Sequence, residues 1–110
     1  MQNPAEYVIV FQWPESFFAD FDTMVAFEDR MINIWPKTCT HDGHDIGEGV
    51  VNFFVFTPYP KAAFLTFRKY LGTLKVTKKL RVAYRLRDGG EYTIIWPYRD
   101  KRPFLVLSKK

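Results

Sequence analysis

Residues 38–45, TCTHDGHD, include both histidines of the chain and its only cysteine. The Asp-Gly pair at the centre is the preferred loop of a two-residue type I′ hairpin, because both loop positions need a positive φ. Side chains alternate along a strand and meet their partners across a hairpin, so this turn would place Cys39, His41 and His44 on one face. A thiolate and two imidazoles are ligands that suit Zn²⁺ or a copper ion.

Two other interpretations compete with a metal site at these residues. A structural zinc site needs four protein ligands and this two-strand ribbon supplies three, so an ordinary turn is the leading interpretation. Metal binding by Cys39, His41 and His44 is the minority hypothesis. Cys39 and His41 also have the spacing of a nucleophile and its base, but the sequence offers no third group to orient the base.

Acidic residues and glycines give no further catalytic motif. Asp20/Asp22 and Glu28/Asp29 are close in sequence, yet neighbouring residues on a helix do not face each other. The segment GEGVV lacks the lysine of a phosphate-binding loop and the spacing of a dinucleotide-binding one. The sequence therefore predicts a protein that is not an enzyme and needs no cofactor.

Basic residues alternate along the segment RVAYRLR near the end of the chain. If Arg87 pairs with Glu91 across the following DGG turn, Arg85 faces Thr93 on the neighbouring strand. Arg81, Arg85, Arg87 and Thr93 then share one face of the hairpin. This face is predicted either to bind single-stranded RNA through its phosphates or simply to be solvated.

The strand VVNFFVF resembles the signature strand of the RNA recognition motif, which also precedes a second helix. Phe53, Phe54 and Phe56 occupy aromatic or apolar positions of that pattern. Residues 49–51 depart from it, since Gly, Val and Val stand where a basic residue, a glycine and an aromatic belong. The resemblance implies that Phe53 joins the arginines in an RNA-binding face, because stacking on bases needs exposed rings.

Hydrophobic periodicity indicates which elements position these residues. Phe21, Met24 and Met31 fall at helical spacing, whereas residues 7–12 and 50–56 are β-branched and aromatic. The predicted elements are a strand at 7–12, a helix starting near 20–22 and closed by Pro36, a hairpin region at 38–48 with a short strand, a strand at 50–56, a helix starting at Pro60, a hairpin of 80–86 and 92–96, and an edge strand at 103–107.

This order predicts a single domain, residues 1–110, of the α+β class. Two helices that each cross between strands are best accommodated in a ferredoxin-like two-layer sandwich. Its antiparallel sheet would carry both helices on one face and an extra C-terminal strand. The opposite sheet face would then be open to a partner.

Composition and charge are those of a folded domain that crosses no membrane. Apolar residues make up 47% of the chain and aromatic residues 18%, which is enough to fill one core and makes disorder an unsuitable interpretation. The net charge is +4, so anionic partners are possible. The start of the chain lacks a basic region followed by a cleavage site, and a single cysteine suits a reducing compartment, so a cytoplasmic location is predicted.

Four segments together resemble a group of small uncharacterised bacterial proteins with a ferredoxin-like build. These segments are DGHDIGEGVVNFFVFT, PKAAF, RVAYR and YTIIWP, and the resemblance covers roughly residues 5–98. It implies a bacterial, cytosolic origin and the fold above, and it brings no activity and no functional residues.

The function that fits best at this level is non-catalytic protein binding. An adaptor- or immunity-like module would use its open sheet face or an edge strand to hold another protein or a second copy of itself. RNA binding at Arg81, Arg85, Arg87, Phe53 and Thr93 is the alternative, and metal binding at Cys39, His41 and His44 is the third hypothesis.

Overall fold

The computed structural model describes residues 6–71 and 79–106 of the chain, without the side chain of Leu71. Within these ranges the chain forms five strands and two α-helices, and a short 3₁₀ helix, Glu15–Phe17, follows the first strand. The elements are β1 (Tyr7–Pro14), α1 (Phe21–Ile32), β2 (Thr40–Gly47), β3 (Val50–Thr57), α2 (Pro60–Leu71), β4 (Arg81–Leu86) and β5 (Thr93–Trp96).

The five strands form one antiparallel sheet with the order β2-β3-β1-β4-β5. The central strand β1 is buried on both sides of the sheet. Its side chains point alternately to the two sheet faces, both of which are apolar here, and those between the end residues are large or β-branched. The molecule is therefore an α+β domain built on an antiparallel sheet, as the element order predicted. Neither described helix combines the length and hydropathy that crossing a bilayer requires.

One face of the sheet carries both helices. Met24 and Met31 of α1 and Phe64 and Phe67 of α2 belong to one buried cluster with sheet residues such as Trp13. The sheet contributes to this cluster Ile9, Phe11, Trp13, Val51, Phe53, Val55 and Val82. We call this the helix face and the opposite side the helix-free face.

Helix α1 begins where the sequence indicated. The side chain of Asp20 accepts a hydrogen bond from the backbone N–H of Thr23 at 2.7 Å, which satisfies one of the free donors of the first turn. That hydrogen bond lowers the pKa of Asp20 below its ordinary value. The helix ends at Ile32, before Pro36.

The turn between β2 and β3 lies elsewhere than predicted. Its two loop residues are Glu48 and Gly49, with φ of 53° and 80°, as the type I′ hairpin requires. The Asp-Gly pair lies instead inside β2, where Asp42 is an extra residue between two that pair with β3. The sequence thus contained two glycine-containing candidates for one turn, and the prediction chose the wrong one.

The last part of the chain also differs from expectation. Thr93 pairs with Tyr84 rather than with Arg85, because the chain between β4 and β5 is longer than a tight hairpin loop. A one-residue change of register moves a side chain to the other face, so Thr93 does not share the arginine face. Residues 103–106 form no strand, and Leu107 lies outside the described residues.

Candidate functional site

Three titratable side chains meet on the helix face between α1 and β2. The carboxylate of Glu28 accepts a hydrogen bond from each histidine, Oε2 from Nε2 of His41 at 2.8 Å and Oε1 from Nδ1 of His44 at 2.7 Å. Glu28 is only 6% exposed. A buried carboxylate is stable in such a place when hydrogen bonds replace its lost water.

The irregularity at Asp42 explains why both histidines point toward α1. Residues three apart on a regular strand face opposite sides of a sheet. The extra residue at Asp42 shifts this alternation, so His41 pairs with Val55 and His44 with Phe53, both on the helix face. The local backbone therefore positions the two imidazoles over one carboxylate.

Glu28 is the functional candidate that sequence reasoning missed. Its pairing with Asp29 in the sequence suggests no site, although it lies four residues after Met24 and three before Met31, within the buried stripe of α1. A charged residue inside an apolar stripe is rarely buried without a partner. That position was the signal that α1 would meet a donor from another element.

Cys39 does not join the two histidines. Its Sγ atom contacts the hydroxyl of Thr38 at 3.9 Å, and the side chain packs against the core of the helix face. The predicted set of Cys39, His41 and His44 is therefore replaced by Glu28, His41 and His44. Within the described residues, no group of three or more histidine, cysteine or acidic side chains has the geometry to hold a metal ion.

Two members of the histidine cluster are buried, whereas the side chain of His44 is 31% exposed. The side chains of Glu28 and His41 are 8% and 6% exposed, and His41 Nδ1 is buried without a partner among the described residues. A cavity of about 590 Å³ lies nearby, where the 3₁₀ helix, α1 and the β2–β3 turn meet. Phe21 lines this cavity and contacts the His44 ring, with 6.0 Å between the ring centroids.

The helix-free face is partly covered by the chain itself. Phe104 and Val106 pack against a small cluster of Val8, Val10 and Phe54. The side-chain amide of Gln12 donates a hydrogen bond to the main-chain carbonyl of Leu105 at 2.9 Å. A buried amide needs such a partner. We call residues 98–106 the C-terminal strap, and its position corrects the expectation of a fully open sheet.

Arg81 fastens this strap and does not belong to a free basic face. Its guanidinium donates to the Asp100 carboxylate at 2.9 Å and to the carbonyls of Arg102 and Pro103. The Arg102 side chain, followed by its backbone N–H and by Arg81, holds the pKa of Asp100 well below its ordinary value, although burial acts in the opposite direction.

Phe53 is also placed differently from the prediction. It lies on the helix face with 0% exposure, where its ring contacts those of Trp13 and Phe27. Its role is to fill the core, so it is unable to stack on a base. The rings of that strand that lie on the helix-free face are Phe54, which pairs with Val10, and Phe56, which pairs with Val8.

A hollow of about 160 Å³ remains on the part of the helix-free face that the strap leaves uncovered. Arg87 lies over the ring of Phe56, with 3.9 Å from its central carbon to the ring centroid. Arg85 lies over Tyr92 at 5.4 Å. The hollow is lined by these four side chains together with Val8, Asp42 and Phe54.

A second apolar hollow lies on the helix face, between α2 and the edge strand β5, with a volume of about 350 Å³. Leu65 and Tyr98 beside it are 61% and 77% exposed, which is high for residues of their size. Its cations are Lys61 and Arg68, and the guanidinium of Arg68 lies 4.7 Å from the ring centroid of Trp96. We call this the α2–β5 groove, lined by Lys61, Phe64, Leu65, Arg68, Ile95, Trp96 and Tyr98.

Comparisons with models of protein families, with curated proteins and with solved structures give no match to this chain.

Proposed function

We propose that the protein is a non-catalytic binding module, of the adaptor or immunity type, that holds another protein at the α2–β5 groove. One observation carries the proposal: two large apolar side chains, Leu65 and Tyr98, are mostly exposed beside an apolar hollow and next to an edge strand. Exposed apolar patches of this kind are characteristic of protein–protein contact sites, and tryptophan, tyrosine and arginine are enriched there.

The edge formed by β5 is the better docking edge of the sheet. β5 pairs only with β4 among the described strands, so it is an edge of the sheet to which a strand of a partner can be added. β2, at the other edge, is interrupted by the extra residue Asp42 and consists mostly of polar residues and glycine. Irregular, polar edges are the kind that proteins use to prevent strand addition.

Charge selects the class of partner. The lining of the groove includes Lys61 and Arg68, and no acidic side chain of the described residues is part of it. The chain as a whole carries a net charge of +4. Two copies docked through this groove would bring like charges together, which is unfavourable at an interface. The proposed occupant is therefore an extended acidic segment of another protein, with apolar residues that fill the groove.

We also propose a ferredoxin-like topology, a structural role for the Glu28 cluster and a cytosolic location. The strand order β2-β3-β1-β4, with α1 and α2 as crossovers on one face, supports a ferredoxin-like arrangement to which β5 is added. The burial of Glu28 and His41 supports a structural rather than a catalytic role for that cluster. The bacterial cytosol is the proposed location, and the free thiol of Cys39 suits its reducing conditions.

A selection from a random peptide display library tests the binding surface. Peptides enriched on the wild-type protein are expected to combine aspartate or glutamate with large apolar residues. Leu65→Asp should reduce their affinity by about tenfold or more, because it places a carboxylate in the groove and repels the acidic peptide. Leu105→Asp is the matched control, since Leu105 is 59% exposed on the C-terminal strap.

Two outcomes would overturn this function. The first is a library that yields no enriched sequence, and the second is equal binding to the Leu65→Asp and Leu105→Asp variants. Light scattering after size exclusion adds a separate check. A wild-type dimer that Leu65→Asp dissociates would assign the groove to a second copy of the chain and reject the acidic partner.

A further inference from the structure

Two guanidinium groups and two aromatic rings surround the hollow on the helix-free face, and their pairing has a chemical consequence. Arg87 covers Phe56 and Arg85 covers Tyr92. Each pair offers a flat surface on which another planar ring can stack, because the guanidinium and the aromatic ring are both planar π systems. The arrangement is suited to a planar ligand that enters edge-on between them.

The charge of the hollow favours an anionic group on that ligand. Arg85 and Arg87 contribute two cations, against one carboxylate from Asp42. One terminal nitrogen of Arg85 is engaged with the main-chain carbonyls of Leu86 and Arg87, which holds the side chain in place over Tyr92. A guanidinium has five N–H donors on three nitrogens, and the hydrogen bonds of Arg85 to described residues use one of these nitrogens.

Size limits what fits. The hollow has a volume of about 160 Å³, below the usual range for sites that enclose a whole small molecule. It has room for one planar ring system while the rest of the ligand stays outside. A stacked base with its phosphate in solvent contact, held by arginine, is how single-stranded nucleic acids are bound without sequence preference.

We propose that this hollow binds one nucleotide unit, with the base among Phe56, Tyr92 and the two guanidinium planes and the phosphate on Arg85 or Arg87. The site is independent of the α2–β5 groove, because it lies on the other face of the sheet. Two sources provide the same chemistry, a free mononucleotide or one residue of a single-stranded RNA. The strap leaves the site accessible and withdraws Arg81 from it.

Two titrations of the full chain test the site and separate the sources. The first follows the fluorescence anisotropy of a labelled single-stranded RNA of about 12 nucleotides at about 50 mM salt. The second follows adenosine monophosphate by calorimetry. Binding of the RNA alone assigns the site to a strand, and binding of the mononucleotide with equal or higher affinity assigns it to a free nucleotide.

Variants separate a built site from general attraction to positive charge. Arg87→Gln should weaken binding about tenfold and reduce the salt dependence by about one phosphate contact. Phe56→Leu should also weaken it about tenfold, through lost stacking, while the salt dependence stays the same. The matched control is Arg30→Gln, which removes one exposed cation from α1 on the helix face, with a change of less than about twofold expected.

Circular dichroism of each variant checks that the fold is retained, and Arg87→Gln decides the question if Phe56→Leu does not fold. Failure of both probes to bind the wild type would overturn the site. Equal losses in Arg87→Gln and Arg30→Gln would overturn it as well, because they would show unlocalised electrostatic binding.

Discussion

At the scale of single residues, Glu28 is a buried carboxylate that joins two elements. One carboxylate accepts hydrogen bonds from two histidines that come from another element. Hydrogen bonds to a charged group are stronger than neutral ones, and the group is costly to bury without them. Glu28 therefore ties α1 to β2 at a point where apolar packing alone would leave two imidazoles without partners.

Replacing Glu28 tests this role. Glu28→Ala should lower the free energy of unfolding by about 2–3 kcal/mol, since the buried imidazole of His41 and the partly exposed imidazole of His44 lose their acceptor. Urea unfolding followed by circular dichroism measures the change. Asp29→Ala is the control at the next, exposed position of α1, with an expected change within about 0.5 kcal/mol. Similar losses in the two variants would contradict the role given to Glu28.

Asp100 makes the stability depend on acid pH. Its pKa is lowered in the folded protein, chiefly by Arg102, so the unfolded chain binds more protons on acidification. The stabilisation by Asp100 is therefore complete above the pKa of an unfolded aspartate, about 4, and is lost as the pH falls from there toward the lower folded value.

The variant Asp100→Asn should accordingly be less stable than the wild type at neutral pH, and the difference should shrink below about pH 4. Urea unfolding at neutral pH and at about pH 3 measures both values. Arg102→Ala should show the same trend, because it removes the main cause of the lowered pKa. A difference that grows on acidification would disprove this linkage.

At the scale of the elements, the hairpin of β2 and β3 shows what limits prediction. Both Asp42-Gly43 and Glu48-Gly49 contain the glycine that a two-residue turn requires. Local preference ranks the first pair higher. The structure adopts the second pair. With the turn at that position, β2 pairs with β3 from Thr40 to Gly47. Ile46 and both histidines then lie on the side of the sheet that carries α1. The choice depends on contacts with another element, which a local pattern does not contain.

A substitution at Glu48 should stabilise the turn, because this residue has a φ of 53° without being glycine. Asparagine tolerates this conformation better, and Asn-Gly is a favoured type I′ pair. Glu48→Asn should therefore raise the free energy of unfolding by about 0.5–1 kcal/mol. Thermal and urea unfolding measure this, with Asp45→Asn inside β2 as the control. Destabilisation by Glu48→Asn would indicate a contact of the Glu48 side chain that outweighs the backbone preference.

At the scale of the whole molecule, the layers were easier to predict than the surface. The helices and strands follow from spacing that repeats over many residues, as with Met24 and Met31 on α1. The sheet face on which Phe53 lies and the contacts that Arg81 makes were not predictable in the same way. Phe53 depends on which of two apolar sheet faces is covered by helices, and Arg81 depends on a C-terminal segment that forms no regular element.

The strap completes the second core of the molecule. In its absence Val8, Val10 and Phe54 would lie on an uncovered part of the sheet, although they are at most 5% exposed in the structure. Burying such side chains contributes about 1.5–3 kcal/mol each, and Phe104 and Val106 supply the surface that covers them. The domain is thus a sheet with helices on one face and its own chain on part of the other.

The double variant Phe104→Ala/Val106→Ala tests that arrangement. It should lower the free energy of unfolding by about 2–4 kcal/mol, because it removes apolar contacts on both sides of the second core. It should also increase the fluorescence of a dye that binds exposed apolar surface, at protein concentrations where the wild type gives little signal. Leu105→Ala, at the exposed position between the two, should change neither measurement much. If the double variant matches Leu105→Ala in both, the strap is not part of the folded core, and the whole helix-free face is open to a ligand.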